Sequence, residues 1–297
     1  MSILRDNVNL GPDAFSKYLK SEFIVAPGVY DAISAIMAEK AGFKVLYLSG
    51  SGVAARMGLP DLGITTLTEV AEEAQKIINV TKAPLIVDVD TGFGEVLNVV
   101  RTVRVLESAG VSAIHLEDQS IPKKCGHLSG KRLISEEDMV LKIKASVKAR
   151  KNPNFKIIAR TDARAVEGFE KAVKRAKSYV SAGADIIFPE ALESREEFEI
   201  FAKELDIPLL ANMTEYGKSP LLSAKELKDM GFKIVIFPLT AFRASLTKIK
   251  EIYGKLYREG TQRNFMSEIM QRKEFYELID YDSYETEDSI LYKSSKE

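Results

Sequence analysis

The sequence predicts an α/β fold closed into a barrel, with eight parallel strands each followed by a helix and the chemistry gathered at the strands' C-terminal ends. Three observations predict it. Eight short apolar runs alternate with stretches of helical periodicity, a glycine turn recurs between helix and run, and polar residues recur where successive runs stop.

The candidate strands are Phe23 to Ala26, Val45 to Leu48, Leu85 to Val89, Ala113 to Leu116, Lys156 to Ala159, Asp185 to Phe188, Pro208 to Ala211 and Ile234 to Phe237. They are rich in β-branched residues and apolar on both faces, as strands covered by helices must be. The segments AGFKVLYL, SAGVSAIHL, SAGADIIF and MGFKIVIF form a weak internal repeat. Each ends a helix, turns on glycine at 42, 110, 183 or 231, and enters a strand, with glycine available as the helix C-cap. An open, doubly wound sheet is the alternative, but no glycine-rich dinucleotide fingerprint follows the first strand.

Two connections are longer than a loop and helix need: SGSGVAARMGLPDLG after the second strand and EDQSIPKKCGHLSGKRLIS after the fourth. Barrels place substrate contacts and lids in such loops. Past the eighth strand, Ala241 to about Tyr257 reads as a helix and Phe265 to Ile279 as another, with more chain than a barrel requires. The expected organisation is one barrel domain over 1–297, with a core at about 20–257, a helical extension at about 258–280 and a polar, frayed or disordered tail at 281–297.

Composition excludes several classes of function. Over 297 residues, 42 Lys and Arg nearly balance 43 Asp and Glu, for a formal charge of −1, so no long-range field draws in nucleic acid or an anionic membrane. No apolar run is long enough to span a bilayer and no leader pattern stands at the N-terminus, which reads as a cytoplasmic protein. One cysteine and two histidines leave no intrachain disulfide and make a Cys/His zinc cluster untenable, so any metal site must rest mainly on oxygen.

The strand ends carry such oxygens. The third ends in VDVDTGFG, placing Asp88 and Asp90 close together, and paired carboxylates repel unless a cation or proton lies between them. The fourth ends in HLEDQ. Asp88, Asp90 and Glu117 together suit a hard cation, Mg²⁺ or Mn²⁺, against the plainer reading of helix caps and solvated loop acids. The fifth strand ends at Arg160, whose planar fork suits a carboxylate or an ion pair with a neighbouring acid. The sixth ends at Glu190, and the seventh at Asn212 and Thr214, which can bond a carboxylate or serve as ordinary turn residues. After the second strand, Ser49, Gly50 and Ser51 offer an anion nest. Tyr47 before them reaches the same pocket or packs in the barrel wall.

Lys123-Lys124-Cys125-Gly126-His127 is the densest chemical group. A cysteine between lysines and near a histidine points to a lowered pKa and a general acid or base on a mobile loop. The alternative is an inert cysteine in a basic surface patch. Neither histidine has an evident orienting partner in the sequence.

These motifs resemble the isocitrate lyase and phosphoenolpyruvate mutase superfamily, and within it the 2-methylisocitrate lyase branch. YLSGSGVAARMGLPDLGITTL, PLIVDVDTGFG, HLEDQ with KKCGH, ARTDARAVEG, IFPEAL, ANMTEYG and FPLTAFRA carry the resemblance, in order, through roughly residues 20 to 250. It implies a modified (β/α)8 TIM barrel whose eighth helix is exchanged with a partner, in a homotetramer built as a dimer of dimers. It implies a di- or tricarboxylate substrate and Mg²⁺ at Asp88, Asp90 and Glu117, with Asp61 of LPDLG near metal and substrate. Cys125 would be the lyase cysteine on a gating loop with Lys123, Gly126 and His127, while Arg160, Glu190 and Asn212 would line the substrate pocket. The reaction implied is a retro-aldol split into succinate and a 2-oxo acid.

The branch commonly reads KRCGH, so Lys124 leans toward isocitrate; the chain length and the FPE and NMTEYG segments lean toward 2-methylisocitrate, and so toward propionate catabolism. Isocitrate, 2,3-dimethylmalate and oxaloacetate cleavage and phosphonate chemistry are the alternatives.

Overall fold

The computed structural model describes residues 8–294. Eight strands run parallel: β1 (Ile24–Val29), β2 (Leu46–Leu48), β3 (Leu85–Asp88), β4 (Ala113–Glu117), β5 (Lys156–Thr161), β6 (Ile186–Pro189), β7 (Leu210–Asn212) and β8 (Ile234–Phe237). Neighbours follow chain order, β8 returns to β1, and a parallel bridge from Ile187 to Leu209 joins β6 to the start of β7. The predicted barrel and all eight of its strands are present.

Helices surround the ring: α1 (Gly11–Ser21), α2 (Ala32–Lys40), α3 (Gly50–Arg56), α4 (Leu67–Ile78), α5 (Val96–Ser108), α6 (Glu136–Ala149), α7 (Arg164–Glu167), α8 (Phe169–Ser181), α9 (Arg195–Glu204), α10 (Ala224–Met230), α11 (Thr240–Glu259), α12 (Arg272–Ile279) and α13 (Tyr281–Ser294). All four repeat glycines take the left-handed conformation, Gly42, Gly110, Gly183 and Gly231 lying at φ of 100°, 92°, 103° and 104°. That is the turn a side chain would resist.

Alternate strand residues sort into two cores. One layer lies between strands and helices, built on Leu46, Leu48, Leu85, Val87, Ile114 and Ile157 among others. The other fills the barrel interior with Ile24, Val45, Ile86, Ala113, Ile158 and Ile234. Phe15 and Leu19 of α1 join that interior cluster. The chain entering α1 is tied to the foot of β3, where the Leu10 amide bonds the Lys82 carbonyl at 2.9 Å, so α1 plugs the bottom of the barrel. A core starting at about residue 20 therefore omits an element that the barrel needs. Its apolar residues form no run that marks the helix in the sequence.

Two further expectations are corrected beyond the barrel. Phe265 to Ile279 is not one helix: a 3-10 turn at Arg263–Glu268 precedes α12, and Phe265 itself lies off helical geometry at φ −132°. The polar segment from 281 is not frayed through residue 294 but forms α13, seated on α12 with Tyr276 and Tyr281 stacked at 4.6 Å between ring centroids. Residues 295–297 of that predicted tail lie outside the described residues.

Candidate active site

Strand register sets the site. Asp88 of β3 pairs with His115 of β4, Glu117 of β4 with Arg160 of β5, and Arg160 with Phe188 of β6. Side chains on one level of adjacent strands thus face one another at the barrel's upper rim. Asp88, Asp90, Glu117, Arg160 and Glu190 are all buried there.

The chain leaves β3 in a constrained turn. Asp90 has φ 48°, an unusual conformation for a residue with a side chain, and its amide bonds Asp88 Oδ1 at 3.0 Å. The buried Lys142 ammonium from α6 fixes the turn by donating to the carbonyls of Thr91, at 3.1 Å, and Gly94, at 2.9 Å. Across from it, the Gly50 amide donates to Asp88 Oδ2 at 3.0 Å. A Cβ on Gly50 would stand 3.1 Å from Asp88 Oδ2 and 3.2 Å from Asp90 Oδ1, so glycine is what lets both carboxylates converge. The residues of the predicted anion nest open α3, and the Gly50 amide is bonded to Asp88. Ser49 is buried beside it and Ser51 half-buried.

Arg160 is the hub. Its Nε lies 2.9 Å from Asp162 Oδ2 and 3.2 Å from Glu117 Oε2, its Nη1 3.1 Å from Glu190 Oε2, and its guanidinium 5.1 Å from the Phe188 ring centroid. The ion-pair reading of Arg160 therefore holds, with three carboxylates at once. Asn212 Nδ2 donates to both Glu190 oxygens at 3.3 Å, while Thr214 is half-buried near His127, both flanking Gly217.

Tyr47 stands inside the barrel, its hydroxyl 2.7 Å from His115 Nε2, and the same nitrogen is 3.5 Å from Asp88 Oδ1. Burial lowers the His115 pKa to about 4, against the opposing pull of Asp88, so the ring is neutral. Burial, then Asp88, raises the Tyr47 phenol well above its ordinary value. His127 also has partners, Glu190 Oε1 at 3.1 Å and the Lys218 amide, which donates to Nδ1 at 3.0 Å. Both histidines thus meet partners from distant segments of the chain, which sequence spacing could not show.

The loop after β4 lies over this rim. Gly126 is pressed so closely that a Cβ would meet Arg160 Nη2 and Glu190 Cγ at 2.5 Å. Lys123 points inward, its ammonium bonded to Asp61 and 2.6 Å from Asp90 Oδ1. Cys125 departs from expectation: burial pushes the thiol pKa up rather than down, as the half-buried sulfur loses solvation. A cavity of about 420 Å³ adjoins Asp90 and Lys123, lined also by Thr65, Phe93 and Asn98. A larger open groove of about 580 Å³ between α6 and α8 holds none of the predicted residues.

Among the described residues no three His, Cys, Asp or Glu side chains form a ready-made metal cluster, and the Lys123 ammonium lies between Asp61 and Asp90. The donor chemistry nevertheless fits a hard cation. Both Glu117 oxygens and Asp90 Oδ1 are buried without a well-formed hydrogen bond, although Arg160 and Lys123 approach them as ions. Burial raises the Asp90 pKa to about 6, with Asp88 adding to the rise against Lys123. Carboxylates that burial holds partly protonated gain from a dication.

A family model described as phosphoenolpyruvate phosphomutase matches residues 15–257. The chain belongs to the phosphoenolpyruvate phosphomutase family. The 2-methylisocitrate lyase of Aeropyrum pernix is 53% identical to it, over 94% of this chain and 90% of that protein. Within the family's solved structures, that of 2,3-dimethylmalate lyase superposes with a TM-score of 0.89 at 38% identity, covering 94% of this chain and 95% of that one. A phosphonopyruvate hydrolase complex with oxalate and Mg²⁺ superposes at 0.85 with 30% identity, covering 94% and 98%.

Sequence reasoning missed Lys131 as a member of the site, and placed Asp118 and Asp162 at the rim without assigning either a role. Each is buried and bonded within it. The recurrence of acids just past β4 and β5 was the available signal.

Proposed function

We propose that this chain is a carbon–carbon lyase that cleaves 2-methylisocitrate into pyruvate and succinate. One observation carries the reading: a protonated thiol sits on a loop closed against a buried guanidinium beside a cluster of acids. The similarity to the Aeropyrum pernix enzyme selects the substrate.

Mg²⁺ is the proposed cofactor, with Mn²⁺ able to replace it, held by Asp88, Asp90 and Glu117, with Asp61 beside them. When bound, it supplies Lewis-acid polarisation of the hydroxyl and carboxylate that become pyruvate. The Mg²⁺ in the related hydrolase complex and the buried Glu117 oxygens, which lack a well-formed hydrogen bond, support that choice.

The side chains divide the remaining work. The hydroxyl loses its proton, the carbon–carbon bond breaks, and its electron pair moves onto the carbon that becomes the succinate methylene. Arg160 and Lys123 neutralise the resulting dianion, with Glu190, Asn212 and Thr214 orienting the guanidinium and the carboxylate end of the substrate. Cys125 delivers its proton to carbon, a task for which a raised pKa is an asset, since the acid must be the thiol. Tyr47, kept protonated by burial, is hydrogen-bonded to His115, and Asp61 is the side chain proposed to take the hydroxyl proton. Ser49, Gly50 and Ser51 shape the wall beside Asp88, and the loop residues Gly126 and His127 shut out water that would compete for the carbanion.

The deciding experiment is kcat/KM for 2-methylisocitrate and isocitrate in parallel, with Mg²⁺ and with EDTA, identifying the 2-oxo acid formed. Metal-dependent pyruvate formation dominates under this reading. Dominant glyoxylate would transfer the chain to isocitrate cleavage, and no cleavage of either would end the lyase reading. One methyl group is worth about 1–3 kcal/mol in an apolar pocket, so a preference of roughly 10- to 200-fold is the expected scale.

We also propose a homotetramer with α11 seated on a partner. That helix of 20 residues buries one of its own, Phe242, while Leu246, Ile249, Tyr253 and Tyr257 lie exposed along it. No helix among the described residues is long and apolar enough to cross a membrane, so another chain is the proposed cover. Light scattering is expected to give a mass near four times the 33.0 kDa chain, and the double variant I249E/Y253E a smaller one. An unchanged mass in that variant would remove α11 from the interface.

A further inference from the structure

The loop from Ile121 to Lys131 is pinned at both stems. The Gln119 and Leu133 backbones form an antiparallel bridge, and the Ser120 amide donates to the Arg132 carbonyl at 2.8 Å. Lys131 therefore sits on the fixed stem, while Lys123, Cys125 and Gly126 lie on the span that could swing. Its side chain is 1% exposed, and its ammonium donates to Asp162 Oδ1 at 2.6 Å and to the Gly126 carbonyl.

Asp162 is itself held rigidly. Its amide donates to Asp118 Oδ1 at 2.8 Å, and Asp118 Oδ2 accepts from Thr161 and Tyr179, each at 2.8 Å. The same Asp162 carboxylate clamps Arg160 through Nε and Nη2. One buried ammonium thus joins the middle of the span to the carboxylate that aims the guanidinium.

We propose that Lys131 is the latch of this loop: a positioning residue that grips the Gly126 carbonyl when the span is closed and registers it against Asp162 and Arg160. The Lys131 to Gly126 contact must break for the span to rise, together with the Lys123 pairs to Asp61 and Asp90 and the His127 pair to Glu190, and it is the one whose donor also bonds Asp162. A buried ammonium is tolerated where partners surround it, so the closed span and the buried charge support each other. The consequence for cleavage rests on the lyase reading, since the latch would place Cys125 for proton delivery.

Cys125 is the single cysteine of the chain, which makes its alkylation by iodoacetamide a direct report on closure. In the metal-free full-length protein, Lys131→Met is expected to raise the alkylation rate by about tenfold or more, the scale of losing a hydrogen bond to a charged group. Lys131→Gln, shorter and neutral, is expected to act in the same direction and serves if the methionine variant fails to fold. Lys124→Met, on the same loop but outside the latch, is expected to leave the rate unchanged. A folded Lys131 variant that alkylates within about twofold of the parent would overturn the proposal, as would an equal rise in Lys124→Met. The reaction needs no substrate, so a raised rate in a protein that cleaves nothing would leave the latch standing and remove the lyase reading alone.

Discussion

Cys125→Ser folds as the parent does and loses about 10²- to 10⁴-fold in turnover of 2-methylisocitrate, the range a positioned general acid contributes. The fold is indifferent to the change because the local turn is made by backbone, with the Leu128 amide donating to the Cys125 carbonyl at 2.9 Å, and serine differs little in volume from cysteine. The chemistry is not indifferent, since an alcohol is a far weaker acid than a thiol. Burial raises the Cys125 pKa, chiefly by desolvation, with Asp61 and Glu190 adding to it and a backbone hydrogen bond from His127 opposing it. The parent's activity should accordingly persist above the ordinary thiol range and fall only where the buried thiol finally ionises. Measuring kcat against pH for both proteins tests this. A serine variant with undiminished turnover would return Cys125 to the status of an inert loop residue. As a second readout, the parent should exchange succinate methylene hydrogens for deuterium in D₂O and the variant should not.

The barrel was legible in the sequence because its signals are local. Val45 to Leu48 or Ile234 to Phe237 declare themselves as strands by β-branched, two-faced apolarity, and Gly231 declares the turn before β8 by the left-handed backbone it must adopt. The rim acids were legible for a related reason: an Asp88 or Glu117 at the end of an apolar run has few structural excuses. What the sequence concealed was pairing between distant segments. Lys123 and Lys124 read alike as neighbours of Cys125, yet Lys123 is the one bonded to Asp61 and Asp90, and what raises the thiol pKa is its burial, which no run of neighbouring residues displays. His115 and His127 seemed unpartnered because Tyr47 and Glu190 arrive from β2 and β6. The helix α1 escaped notice because Phe15 and Leu19 are buried by the barrel floor rather than by a long apolar stripe, and α13 because polar composition does not forbid a helix that packs by stacked tyrosines.

Arg160→Met should be the most destabilising single change at the site, and its penalty should depend on pH. Removing one partner from a buried ion cluster typically costs about 3–5 kcal/mol, because charges remain without compensation. Here Glu117, Asp162 and Glu190 would all lose their shared cation. Burial pushes the Glu190 carboxyl upward, but Arg160, followed by the hydrogen bond and charge of His127, outweighs it and holds the group well below its ordinary value. Asp162 is likewise pushed up by burial and brought below its ordinary value by Arg160 and Lys131. Groups depressed in the folded state stabilise it above their unfolded pKa, and that contribution fades as pH falls through the folded values. In Arg160→Met the leading opposing charge is gone, so these carboxyls rise, against the remaining pull of Lys131 on Asp162 and of His127 on Glu190. A raised acid favours the folded state at low pH and penalises it as pH climbs. The gap between parent and variant should therefore be widest at neutral pH and narrow toward about pH 4, near the ordinary carboxylate range. Urea unfolding midpoints at pH 7 and pH 4.5, both with EDTA, would measure it. Arg160→Lys, which keeps a charge but not the fork, should fall between the two. An equal loss at both pH values would mean that the guanidinium matters for its packing over Phe188 and not for the charge it balances.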